Sequence, residues 1–173
     1  MTPVLKSLAA AALALLAVAG VGGSAAAAPR VGQPAPAVVM PELDGRVFDL
    51  AQARGKVVIL SLWATWCAPC RAEMPMLDQA YKAHGAEGLE VVGMSADRLK
   101  SRADVVRVMA DFRYPSGMAL EARTNGFGVP RALPQTFVID RKGVVRAVFG
   151  VLGDPVDPAR LEAAVRPLLA EGP

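Results

Sequence analysis

The sequence predicts an α/β fold: a mixed central sheet flanked by helices, with an extra N-terminal hairpin. Three observations carry that expectation. Lys56–Trp63 (KVVILSLW) is a continuous apolar run of strand length, rich in β-branched residues, and Leu89–Ala96 (LEVVGMSA) reads as a second buried strand. Such a run suits a strand buried on both faces. A helical segment, Ala68–Ala83, separates them. Near the C-terminus, Gln135–Ile139 and Val144–Phe149 flank Asp140-Arg-Lys-Gly143, a tight-turn sequence, and a helix follows. Strand, helix, strand, helix, hairpin and helix, in that order, describe a mixed sheet with helices on both faces.

The elements follow in chain order. Met1–Ser7 is short and carries Lys6, Leu8–Val21 is an apolar run of mostly Ala, Leu and Val, and Gly22 to Ala28 are all small. That pattern makes residues 1–28 a secretory signal peptide. The competing reading is an uncleaved membrane anchor. A spanning helix wants about 20 apolar residues, and this run is shorter and ends in glycines. No cysteine lies near the cleavage site to carry a lipid. The remainder, 31–170, reads as one domain.

Val31-Gly-Gln-Pro-Ala-Pro36 is an extended lead-in. Ala37–Met40 and Arg46–Phe48 form a hairpin around Leu43-Asp44-Gly45. In the first long helix, Gly85 and Gly88 bracket the end. Ser101–Phe112 is a second helix, with Val105, Val106, Val108 and Met109 on one side. Asp157 and Pro158 open the last helix, where Leu161, Val165, Leu168 and Leu169 fall at helical spacing.

Composition excludes several classes of partner. The chain is 53% apolar and 20% charged, with a net charge of +3. Lys6 is the only charged residue before Arg30, so the mature part carries 18 basic against 16 acidic residues. That small, scattered excess shows no basic stripe with interleaved aromatics, and nucleic acid is not an expected partner.

The chain has 2 cysteines, Cys67 and Cys70, in Trp63-Ala-Thr-Trp66-Cys67-Ala-Pro69-Cys70. A structural bridge is a poor explanation: closing so small a loop contributes roughly 2 kcal/mol by loop entropy, against about 3 for fifteen residues. Zinc is a poor one too, since it wants four ligands and His84 is the 1 histidine. No metal or other cofactor is expected. The position explains the pair better, because a buried strand there gives way to a helix. Free N–H groups at a helix N-terminus favour a thiolate. Cys67 is expected to be the exposed attacking sulfur. Cys70, about one turn further in, would resolve the mixed disulfide. Pro69 is tolerated because first-turn amides have no helical acceptor.

Glu73 is the next candidate. Cys70, Met74, Leu77 and Tyr81 make one apolar face, and Arg71, Asp78 and Lys82 the polar one. At about 100° per residue, Glu73 lies roughly 60° from Cys70, bordering the buried side. A half-buried carboxyl titrates high and can exchange a proton with Cys70. Pro75 is expected to kink the helix. Pro134 immediately precedes a strand, where either isomer is allowed. Trp63 and Trp66 read as core or rim aromatics, Trp66 shielding the sulfurs. His84 is an ordinary helix-end residue, and Met94, Met109 and Met118 are core filler.

Taken together, W-C-A-P-C after an apolar strand, Pro75 in the helix, L-P-Q-T-F-V-I-D-R-K-G and the lead-in V-G-Q-P-A-P resemble the thioredoxin superfamily over about Val31–Leu169. The match is to its exported TlpA/ResA-like branch of thiol–disulfide reductases. The resemblance implies a thioredoxin fold and a redox disulfide, with Cys67 as nucleophile and Cys70 as resolving thiol. It implies a cis Pro134, with Leu133 facing the disulfide and receiving substrate backbone, and Trp66 at the same substrate-binding surface. Glu73 matches the branch's buried acid. Ser61 stands where cytoplasmic thioredoxins carry a buried aspartate, which shifts proton handling towards Glu73. Such families act in the periplasm or on the exported side of the membrane. Their clients are apo-cytochrome c or copper-site proteins, and a membrane electron donor keeps them reduced. A disulfide oxidase of the same fold, a thiol-dependent peroxidase and a copper chaperone are the alternatives. The Ala68-Pro69 pair does not fix a redox potential. The peroxidase group wants a lone reactive Cys, and copper-delivery families use a longer Cys spacing and a distant His.

Overall fold

The computed structural model describes residues 29–172; the expected signal peptide, 1–28, lies outside them. Among the described residues, eight strands and three α-helices follow one another. They are β1 (Val38–Pro41), β2 (Val47–Asp49), β3 (Val57–Trp63), α1 (Ala68–His84), β4 (Leu89–Ser95), α2 (Arg102–Met109), β5 (Ser116–Met118), β6 (Thr124–Asn125), β7 (Gln135–Ile139), β8 (Val145–Gly150) and α3 (Pro158–Ala170). The long elements match the sequence expectation to within a residue or two, except that α2 ends three residues early. The short strands β5 and β6 were not expected.

Five strands form the central sheet in the order β5-β4-β3-β7-β8. β3, β4 and β5 run parallel, and β7 and β8 antiparallel to their neighbours. Every residue of β3 is buried, as a strand at the middle of a covered sheet must be. Alternation splits its side chains between two cores. Val57, Ile59 and Trp63 join one cluster, and Val58, Leu60 and Leu62 the other.

All three helices share the first cluster, through Met74 and Leu77 of α1, Val105 and Met109 of α2, and Leu161, Val165 and Leu168 of α3. Each such side chain contributes about 1.5–3 kcal/mol on burial. The helices therefore lie on one face rather than on both. Crossover handedness gives the reason. The steps β3–α1–β4 and β4–α2–β5 advance the same way along the sheet, and right-handed crossovers then place both helices on one side. The other face is closed by the small antiparallel sheet β2-β1-β6, which delivers Val38, Met40 and Phe48 to the second cluster. The predicted hairpin is thus a wall of the core. Its lead-in runs along the free edge of β8, with Gly32 N–H donating to Val145 O at 2.8 Å and Ala35 N–H to Gly143 O at 2.8 Å. This pairing covers the start of that edge.

The placement of α2 beside α1 corrects one residue. Asp78, expected on the solvated face of α1, is buried. Its Oδ1 accepts from Arg113 N–H at 2.6 Å, and Lys82 pairs with it from the next turn. Burial works against the charge, but the Lys82 and Arg113 hydrogen bonds prevail and hold the carboxyl below its ordinary range. α1 runs unbroken through Pro75.

Candidate active site

β3 ends at Trp63, whose carbonyl accepts from Ala96 N–H at 2.8 Å. The chain then turns: Cys67 N–H donates back to Ala64 O at 3.1 Å. Cys67 caps α1, with extended backbone and its Sγ accepting from Cys70 N–H at 3.3 Å. Pro69, in the first turn, lacks a donor where none is needed. Cys67 and Cys70 are joined in a disulfide, with a Cα–Cα distance of 5.3 Å.

The expected contrast between an exposed Cys67 and a sheltered Cys70 is small. Cys67 is 5% exposed and Cys70 2%. In the oxidised pair both sulfurs belong to the helix-side core, where Ala64 and Leu133 accompany them. Trp66 is 70% exposed, so little of its ring is left to shield the sulfurs. Trp63 is wholly core, its Nε1–H donating to Ser116 Oγ at 3.2 Å.

Glu73 is half-buried, three residues past Cys70 on α1. Burial alone pushes its carboxyl up to about 7, from an ordinary 4.5. Ser61 is buried on β3, and its Oγ accepts from the Thr136 hydroxyl at 3.4 Å. No charge stands at that strand position.

Sheet register brings a distant loop to the pair. β7 runs antiparallel to β3 with Leu62 opposite Gln135, so the residues before β7 lie level with those after β3. The Leu133–Pro134 bond is cis, as the family resemblance implied. Pro134 O accepts from Val151 N–H at 3.0 Å, and Gln135 Nε2–H donates to Ala132 O at 3.0 Å. Leu133 packs against both core clusters. One further group at the site escaped the sequence reading. Asp97, just past β4, is buried and hydrogen-bonded to Thr65. Its sequence signal was weak: a carboxylate two residues past a mostly apolar strand.

A Cys-x-x-Cys disulfide at a helix start, beside a cis-proline loop on a mixed sheet, defines a thioredoxin-fold thiol–disulfide oxidoreductase. Comparison with known proteins agrees. The chain belongs to the AhpC/TSA family, which it matches over residues 31–148, and within it to the ResA-like thiol–disulfide oxidoreductases. It is 30% identical to a thiol-disulfide oxidoreductase ResA of Bacillus cereus over 122 residues, 70% of each chain. With ResA of Geobacillus thermodenitrificans it shares 32% over 120 residues, 69% of this chain and 68% of that one. Among solved structures it resembles a thioredoxin-family thiol:disulfide interchange protein of Chlorobium tepidum TLS, with TM-score 0.64 and 30% identity over 83% of this chain and 99% of that one. A secreted thiol-disulfide isomerase of Corynebacterium glutamicum gives TM-score 0.64 and 28% identity over 79% and 85%.

Proposed function

We propose that this oxidoreductase is an exported disulfide reductase working through Cys67, Cys70 and Glu73. The reduced Cys67 thiolate attacks one sulfur of a client disulfide. That S–S bond breaks, a mixed disulfide forms at Cys67, and the client's other sulfur leaves as a thiolate. Cys70 then gives its proton to the Glu73 carboxylate and attacks Cys67. The Cys67–Cys70 bond forms, the client leaves with both sulfurs reduced, and the pair has lost two electrons. A dithiol donor on the membrane restores it. Trp66, Leu133 and Pro134 would contact the client backbone near its cysteine.

The observation that carries this reading is a half-buried acid titrating near 7, one helical step beyond the inner cysteine. A proton acceptor of that pKa is half ionised at neutral pH, suited to taking a proton and giving it back. Export rests on the signal-like residues 1–28 and agrees with a similar chain being a secreted protein. Apo-cytochrome c and copper-site proteins are the clients the resemblance implies.

The reduction potential of the pair tests the direction. Thioredoxin-fold proteins span about −270 to −120 mV. A value near the lower end, with Glu73→Gln slowing exchange most near pH 7, is expected. A value near the upper end would make the protein an oxidase. Peroxide consumption outpacing disulfide exchange would make it a peroxidase, and a stoichiometric copper complex without exchange activity a copper chaperone.

A further inference from the structure

A buried carboxylate holds the turn that delivers Cys67 to its helix. Asp97 is 2% exposed. Its Oδ2 accepts from Thr65 N–H at 2.8 Å and from the Ser95 hydroxyl at 2.8 Å, and its Oδ1 accepts from the Thr65 hydroxyl at 2.7 Å. Ser95 Oγ accepts in return from Asp97 N–H at 3.1 Å. Each of these donors is neutral, and an enclosed carboxylate needs them all. Two of the three bonds go to one residue, Thr65, which lies inside the Ala64–Cys67 turn. The Ala96–Trp63 backbone bond already joins the strand ends. The carboxylate adds a side-chain grip on the residue two before Cys67.

We propose that Asp97 is a positioning residue for disulfide exchange. Through Thr65 it fixes the Ala64–Cys67 turn, and so keeps Cys67 Sγ at the helix cap, where the Cys70 N–H reaches it. The proposal rests on Cys67 being the attacking sulfur. Without the grip the turn samples other geometries, the cap hydrogen bond is made only part of the time, and the thiolate loses part of its stabilisation. Asp97→Asn would alter charge and hydrogen bonding together. Thr65→Val is the cleaner probe, because it removes one donor and leaves the carboxylate's charge in place.

The test uses the full chain. In a reduced Cys70→Ser background, Thr65→Val should raise the Cys67 thiol pKa and slow its alkylation about tenfold at pH values below that pKa. With both cysteines present, the reduced form should lose about tenfold in equilibrium with glutathione, which is about 30 mV towards the reducing side. Thr65→Ser, which keeps the hydroxyl, should restore both values. A native alkylation profile and potential in Thr65→Val, even with a lowered melting temperature, would reduce Asp97 to a structural tie and overturn the proposal. Faster alkylation of Cys70 than of Cys67 in the native reduced protein would instead remove the Cys67 assignment, and the positioning role with it.

Discussion

The backbone N–H of Cys70 reaches Sγ of Cys67 at 3.3 Å, so the N-cap of α1 is a sulfur where most helices place an oxygen. The same N–H that caps the helix would stabilise the Cys67 thiolate once the disulfide opens. Cys67→Ser should lower reduction of a model disulfide roughly a thousandfold or more. Cys70→Ser should instead stall at a mixed disulfide on Cys67, visible as a mass increase equal to the substrate thiol less the two hydrogens lost. Full activity in Cys67→Ser would exclude the mechanism.

Glu73 should leave a mark on stability as well as on exchange. Its carboxyl is raised from 4.5 to about 7 by burial, so the folded chain holds a proton that the unfolded chain releases. Stability is then unaffected below the unfolded value, falls as pH rises between the two, and stays reduced above about 7. The whole shift corresponds to about 3 kcal/mol, which solvent screening at a half-buried group cuts to about 1–2. Glu73→Gln should therefore be about 1–2 kcal/mol more stable than the native protein at pH 8 and equal to it near pH 4. Urea unfolding at the two pH values checks this; a difference independent of pH would show that desolvation is not the cause.

His84 behaves in the opposite sense. One ring nitrogen is 3.1 Å from Glu87 and the other 3.1 Å from Glu162 of α3. Burial opposes the imidazolium, but the two carboxylates outweigh it and raise its pKa above the ordinary 6.5. Arg166 also bonds Glu162 and, with His84, keeps that carboxyl below its usual range despite some burial. The tie between α1 and α3 is complete below pH 6.5 and fades as pH rises through the raised value. His84→Gln should cost about 1 kcal/mol at pH 5.5 and close to nothing at pH 9. Equal losses at both would mean that packing, not charge, joins the helices there.

What could be read in advance depended on how local the signal was. β3 was visible because a strand covered on both faces is apolar almost throughout, β4 because its run stays largely apolar despite Glu90, and α1 because its motif and period coincide. β6 is two residues long and β5 three, too short to carry any period. Their pairing comes from register with β1 and β4. Asp78 was placed on the wrong side because a helical wheel sees one helix, while α2 and the chain after it bring Arg113 N–H onto the carboxylate. Phe112 N–H donating to Met109 O closes the turn that makes this approach, which is why α2 stops before the end its sequence suggested. Cys67, Cys70, Glu73 and Pro134 could be named in advance as candidates because motif and wheel are local. Asp97 was missed because its partner, Thr65, is 32 residues away.

The loop carrying Pro134 depends on a glycine that the motif does not include. Gly150 has φ +95°, and a Cβ there would lie 2.2 Å from Pro134 O. Both the backbone region and the contact are closed to an L side chain. The obstructing atom is backbone, so no rotamer change relieves it. Gly128, with φ +71° and open space around it, separates the two effects. Gly128→Ala should cost about 1 kcal/mol from conformation alone. Gly150→Ala should cost about 3 kcal/mol and also slow disulfide exchange, where the Leu133–Pro134 segment shifts to relieve the clash. Thermal unfolding and model-disulfide turnover on the two variants decide it. Equal stability losses would mean that β8 yields instead of the proline loop, and an unaltered turnover in Gly150→Ala would mean that the loop's position does not matter to exchange.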